Sequence, residues 1–223
     1  MSTPDPVVGD RVVVRYRLAH DAPADWRETP NPALPHSPTL SDVTGVLVAA
    51  DADRFVVQRD GVEHTIPRAA ITAVRTLSRT VVRNSQIREV ERALCAAAGG
   101  ERAEIDGWSV QAGGVGLRGG LAVPIGFTAS SAALPDVRSW YAERGLRPRA
   151  LLPDRLVRSG SIPVLDAGSD VEVLVGDSTP TVDAVEFAPS RWATTLSTDD
   201  RTAREAARRA GLVLHHTGRV HSL

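Results

Sequence analysis

The sequence predicts an α+β chain, α/β-like in its second part: a small N-terminal β-barrel followed by a mixed α/β domain. Three observations lead there. Within the first 78 residues, short stretches on either side of a Pro-rich insertion read as strands, and the first of them alternates apolar and polar side chains at period two, the spacing of a half-buried strand. From residue 79 to 223, helical apolar stripes alternate with short β-branched runs. The hydrophobic share, 42%, is that of a chain able to bury a core, and 223 residues suffice for two small domains.

In the first part, Val12, Val14, Tyr16 and Leu18 alternate with Arg11, Arg15 and Arg17, giving one buried face. Further strands are expected over Thr44–Ala50, Arg54–Arg59, Val62–Ile66 and Ile71–Val74. Asp60-Gly61 is a two-residue hairpin turn, because both residues tolerate positive φ. Pro67 to Ala70 suits one tight turn before the last strand. Five short strands of this kind suggest a Src-homology-3-like barrel. A Pro-rich insertion, about residues 19–42, separates the first two strands. It carries Trp26, Leu34, His20 and His36 without apolar periodicity, and disorder is expected there.

In the second part, Asn84 or Ser85 is placed to cap a helix running to Ala98, with Ile87, Val90, Leu94 and Ala98 on one face. Arg102–Ile105 and Trp108–Ala112 read as a hairpin about Asp106-Gly107, and Leu121–Ile125 as a third strand. Pro135 marks the first turn of a helix that stops at Gly145. Arg147–Leu152, Val171–Val175 and Val182–Phe187 read as strands. Ser197 and Asp200 have capping-box spacing ahead of a small-residue stripe closed by Gly211. Leu212–Leu223 then returns as one or two strands.

Composition narrows the function. The net charge of −1 gives no electrostatic reason to expect nucleic acid or an anionic membrane as partner. All 26 basic residues are Arg; without Lys there is no Schiff-base or phosphate-loop lysine. The single Cys, Cys95, excludes multi-cysteine zinc sites and lies on the flank of a helical stripe, where a small core residue is expected. His215 and His216 are strand neighbours and are expected on opposite faces, so no metal is assigned. His215 and His221 could meet across a Thr217-Gly218 turn only in one register. The N-terminus has no signal-peptide pattern and no apolar run spans a membrane, so a cytoplasmic protein is expected.

The most specific stretch is Asp106 to Gly116, whose last six residues spell Gln-x-x-Gly-x-Gly. This is similar to the pyrophosphate signature of GNAT-type N-acetyltransferases. Arg88 to Ala93 precedes it, and Ser139 to Leu146 and Arg208 to His216 follow it, in matching order. Together they resemble an actinobacterial GNAT family that carries a Src-homology-3-like barrel ahead of its acetyltransferase domain. The resemblance implies acetyl transfer from acetyl-CoA to an amine, with Gln111, Gly114 and Gly116 at the pyrophosphate. A phosphate nest needs a helix starting behind its glycines. Gly119, Gly120 and Pro124 argue against one here, so the cofactor region reads as shortened or degenerate. The family's acid, a Tyr before the last helix-ending Gly, corresponds to Ala207, which has no proton to donate. Tyr141, at the equivalent point of the earlier helix, is then the candidate general acid. Its alternative is a core aromatic beside Trp140. Glu172 and Glu186 are placed for a general base, and each also reads as the solvent side of a half-buried strand. A non-catalytic GNAT-derived binding or scaffolding module therefore stands beside the enzyme reading.

Overall fold

The computed structural model describes residues 5–18, 40–78, 81–157, 161–177 and 179–223. These fall into two compact units, Met1–Leu77 and Ser78–Leu223. Trp26, Leu34, His20 and His36 lie outside the described residues.

The first unit is an antiparallel sheet of β1 (Arg11–Arg17), β2 (Leu40–Ala50), β3 (Arg54–Arg59), β4 (Val62–Pro67) and β5 (Ile71–Leu77), in the order β4-β3-β2-β1-β5. Val12, Val14, Val43, Leu47, Phe55, Val57 and Ile66 form its core. Asp60 and Gly61 both take positive φ, +50° and +82°, as the hairpin turn requires. β2 begins at Leu40, earlier than the sequence suggests. Its first residues are held by pairing with β1, where Arg15 makes two hydrogen bonds of 2.8 Å to Asp42.

The second unit is built from α1 (Asn84–Ala97), β6 (Glu101–Ile105), β7 (Trp108–Ala112), β8 (Val123–Pro124), α2 (Leu134–Ala142) and β9 (Arg149–Pro153). β10 (Ser169–Gly176), β11 (Val185–Ala188), β12 (Arg191–Ser197), α3 (Arg201–Arg209) and β13 (Val213–Ser222) complete it. The architecture is α+β. One sheet runs β6-β7-β8 and another β11-β12-β10-β13-β9. A single parallel bridge, Ala122 to Ala150, links β8 to β9. α1 covers one face: Val90 and Leu94 meet Val173 and Ala193, and Cys95 meets Leu121, Leu151 and Val171. α2 and α3 cover the other face. Leu134, Val137 and Tyr141 pack on Trp108, Val110 and Ala150, and Ala207 packs on Leu174 and Leu212.

Several local expectations change. α1 is not capped by the side chain of Asn84 or Ser85; the Arg83 N–H donates to Gln86 Oε1 at 2.8 Å instead. Ser197 ends β12, and Asp200 is the N-cap of α3, accepting from the Ala203 N–H at 2.9 Å. β12 was not recognised as a strand from the sequence. It is formed by pairing with β10 on one side and β11 on the other. β13 runs straight through Thr217-Gly218 with no turn, because Gly218 sits opposite Pro153, where a Cβ would meet the Leu152 carbonyl at 3.0 Å.

Candidate functional site

β8, α2 and β9 form a strand–helix–parallel strand crossover. The Ala122 N–H donates to the Arg149 carbonyl at 2.8 Å, and the Leu151 N–H donates to the Ala122 carbonyl at 2.9 Å. The next rung of that ladder would need N–H groups from Pro124 and Pro153, and proline has none. The two strands therefore stop pairing one rung later, at their C-terminal ends. Crevices of this kind, past the carboxyl ends of parallel strands, are where ligands bind in open α/β sheets.

The walls of this crevice are defined by nearby residues. The Ile125 and Gly126 N–H groups both donate to the Gly107 carbonyl, at 3.0 and 2.7 Å. Gly107 has φ +84°, and a Cβ there would meet Thr128 Oγ1 and the Ala129 nitrogen, each at 2.7 Å. Glycine thus lets the loop after β8 fold closely over the β6–β7 turn. The Trp108 indole N–H donates to the Ser130 carbonyl at 3.0 Å, and Ser130 caps the short turn that leads into α2. The positive end of α2 lies on this side. From α1, Arg92 donates to the Ile125 carbonyl at 3.2 Å, and the Arg88 guanidinium stacks 4.3 Å from the ring centre of Phe127, which is 81% exposed. A cleft of about 400 Å³ adjoins, lined by Arg92, Cys95, Arg102, Glu104, Ser109 and Ile125. Cys95 is buried, as a core residue would be, and burial pushes its thiol up.

Under α1 lies a buried polar cluster. Glu91, 0% exposed, takes two hydrogen bonds from Arg118 at 2.7 and 2.8 Å and a third contact from His216 Nε2 at 2.9 Å. Arg118 also donates through Nε to Thr195 at 2.6 Å. Burial opposes ionisation of Glu91, but Arg118 and His216 outweigh it and hold the carboxyl down at about 2. The expectation that His215 and His216 face opposite ways is corrected here. Val173 pairs with His216 while Leu174 pairs with Leu214, so His215 is the extra residue of a β-bulge. The bulge turns both rings to one side, Nδ1 to Nδ1 at 2.7 Å. Burial first, then His216 and Arg191, push His215 down to about 4. His221 contacts Asp166 at 3.2 Å instead of His215. Among the described residues no group of three or more His, Cys, Asp or Glu is placed to hold a metal.

Gln111, Gly114 and Gly116 lie at the other end of the sheet, beside the C-terminus of α1. Gln111 Nε2 donates to the Cys95 carbonyl at 3.3 Å and to the Gly99 carbonyl, and the Val115 N–H donates to the Ala98 carbonyl at 2.9 Å. These groups satisfy the carbonyls that a helix end leaves open. Gly114, at φ +94°, approaches so closely that a Cβ would meet the Ala98 carbonyl at 2.5 Å. Residues 117–120 form turns, and no helix starts there. Gly116 lines a cleft of about 270 Å³ with Leu94, Ala97, Val115, Leu117 and Thr195.

Tyr141 is 0% exposed in the core under α2, and its hydroxyl accepts from the Gln111 N–H at 3.2 Å. Burial pushes that phenol up to about 12. Tyr141→Phe leaves a buried N–H without its acceptor and is expected to lower stability by about 1–3 kcal/mol in denaturant titration. Glu172 is not on a solvent face: it is buried, and Arg204 and Arg208 hold it at 2.7 and 3.0 Å. Glu186 is exposed and accepts from the Ser190 N–H at 2.9 Å.

Residues 84–211, more than half of the sequence, match the family described as "Probable histone acetyltransferase Rv0428c C-terminal". The chain belongs to this family. A curated relative, the probable histone acetyltransferase Rv0428c of Mycobacterium tuberculosis strain H37Rv, is 35% identical over 154 residues. That alignment covers 68% of this chain and 46% of the relative, so the chain spans about half the relative's length. No solved structure matches the chain. The matched segment runs from α1 to the end of α3 and contains the whole β8–α2–β9 crossover. None of the described helices is long and apolar enough to cross a membrane.

The crevice residues were not singled out from the sequence. The signal was available in two prolines: Pro124 lies within the run Leu121–Ile125, and Pro153 directly follows the run Arg147–Leu152, both read as strands. The polar cluster gave less: Glu91, Arg118 and His216 are far apart in sequence, and nothing local joins them.

Proposed function

We propose that this chain is an N-acetyltransferase domain of GNAT type that uses acetyl-CoA to acetylate an amine, with the coenzyme in the crevice between β8 and β9. The observation that carries this reading is the proline-stopped ladder. Past Ala122 and Leu151, the carbonyls of Pro124 and Leu151 meet no strand donor across the gap. A pantetheine arm carries amide N–H groups that suit such acceptors. Membership of an acetyltransferase family and a crossover of this topology support the same assignment. The Src-homology-3 likeness of the first unit belongs to this proposal as well.

Two places compete for the pyrophosphate. The motif Gln111, Gly114 and Gly116 faces the carbonyl end of α1, which disfavours an anion. The loop at Gly126 to Ser130 precedes a helix and is flanked by Arg88 and Arg92, which favours one. We assign the pyrophosphate to the second. The general-acid role of Tyr141 requires opening of the α2 side, since its hydroxyl is sealed.

A second reading, a binding module that keeps the fold without turnover, has one observation in its favour: Ala207 packs against Leu174 and Leu212 where an acid would be needed. The two separate by calorimetric titration with acetyl-CoA followed by an acetylation assay on a lysine peptide. The chain has no Lys, so an acetyl-lysine signal reports the added acceptor. At a hundredfold excess over Kd, the coenzyme is expected to stabilise the fold by about 2.7 kcal/mol. No binding would reject the enzyme assignment; binding without transfer to any amine would favour the module.

A further inference from the structure

β6 stands at the edge of its sheet, with β7 on one side and no strand on the other. Asp106 and Gly107 both have positive φ, +43° and +84°, so a two-residue turn joins β6 to β7 and makes Ile105 and Trp108 a hydrogen-bonded pair. The pairs then alternate, which leaves Glu104–Ser109 and Arg102–Gln111 as pairs without mutual hydrogen bonds. Gln111 fits this phase: its N–H donates to the Tyr141 hydroxyl at 3.2 Å instead of to β6. The N–H and C=O groups of Arg102 and Glu104 therefore point out of the sheet edge. Among the described residues no backbone hydrogen bond reaches them from another segment. An open edge of this kind is a template for another strand. Arg102 and Glu104 are both exposed and line the cleft of about 400 Å³ beside α1. Among the described residues neither side chain has an ion pair.

We propose that β6 is a docking edge for a second copy of this chain, joined to it in an antiparallel, two-fold symmetric pair centred on Ala103. In that register Arg102 stands opposite the partner's Glu104, and Glu104 opposite the partner's Arg102. Each couple exchanges two backbone hydrogen bonds and sets opposite charges directly across from each other on one face. The other registers fail. A slip of two residues puts Arg102 opposite Arg102 or Glu104 opposite Glu104, and like charges directly opposite destabilise a pair. A slip of one residue turns the outward N–H groups away from facing carbonyls. A like-charged edge would repel every second copy. β6 carries both signs, at positions that complement themselves in a single register, and this selects another β6 over an unrelated extended peptide. The surface is the same patch on both chains, as a two-fold interface requires. The sheet β6-β7-β8 then continues through the seam into that of the partner. β6 is five residues long, so the dimer is a weak one whose chains exchange in solution.

Sedimentation of the full chain at rising concentration is expected to show a monomer–dimer equilibrium. Arg102→Glu and Glu104→Arg, two changes at exposed positions outside the proposed coenzyme crevice, each turn both couples into like charges. Each is expected to weaken the dimer about tenfold or more. The chain carrying both changes has its charges exchanged and is expected to dimerise like the unaltered chain. An equimolar mixture of the two single variants is expected to form a mixed dimer, because each supplies the charge that the other lacks. A second readout needs no variant: amide exchange at Arg102 and Glu104 is expected to slow as concentration rises, while that at Ala103, whose N–H already faces β7, stays the same. A chain that remains monomeric, a dimer indifferent to the single reversals, or a double variant no better than the singles would overturn the proposal. Slowing at Arg102 and Glu104 only when a lysine peptide is added would also overturn it and make the edge a peptide seat.

Discussion

Arg118→Ala is expected to destabilise the second unit by about 3–5 kcal/mol, read as a lower denaturant midpoint, because it leaves the Glu91 carboxylate buried without its main partner. Both side chains are nearly fully buried, so water cannot replace the lost bonds. The same pair fixes a pH dependence. The Glu91 carboxyl is held at about 2 in the fold, below the ordinary value of 4.5. A depressed carboxyl stabilises the fold above its unfolded value and loses that contribution as pH falls through the folded one. That depression corresponds to a few kcal/mol, on the order of 3, present at pH 6 and lost between about pH 4.5 and 2. In Arg118→Ala, stability is expected to fall less steeply, or even to rise, on acidification through this window. An acid profile parallel to that of the unaltered chain would show that the pair does not govern it.

Glu172→Ala is the second large loss expected, again about 3–5 kcal/mol, since Arg204 and Arg208 both direct a guanidinium at that one carboxylate from buried positions. Replacing all three residues with apolar ones is expected to cost much less than the single change, because no charge then stays buried. Equilibrium unfolding of the single and triple variants checks both statements. A triple variant less stable than Glu172→Ala would mean that the ion cluster itself stabilises α3 on the sheet.

How much was legible beforehand follows from the range of each signal. The Asp60-Gly61 turn, the Val12 and Val14 face and the helix of Ile87, Val90 and Leu94 are written in neighbours one to four residues apart. β12 is not, because Arg191–Ser197 becomes a strand by lying between β10 and β11. The bulge at His215 was hidden for the same reason: it comes from the register of β13 against β10, and period-two reasoning gave the opposite orientation. Glu172 read as solvent-facing because the sequence does not say which face α3 covers. In the Gln-x-x-Gly-x-Gly stretch, each residue has a place at the α1 terminus: Gln111 reaches its carbonyls, and Gly114 passes where no Cβ fits. A spelling shared with a phosphate loop does not distinguish that use from an anion site.

Hydrogen exchange of the full chain with and without acetyl-CoA tests the central claim most directly. The account predicts slowed exchange on coenzyme addition across residues 126–134 and 151–154, with residues 113–120 unchanged. Slowed exchange confined to residues 113–120 would contradict it and return the coenzyme to Gln111, Gly114 and Gly116.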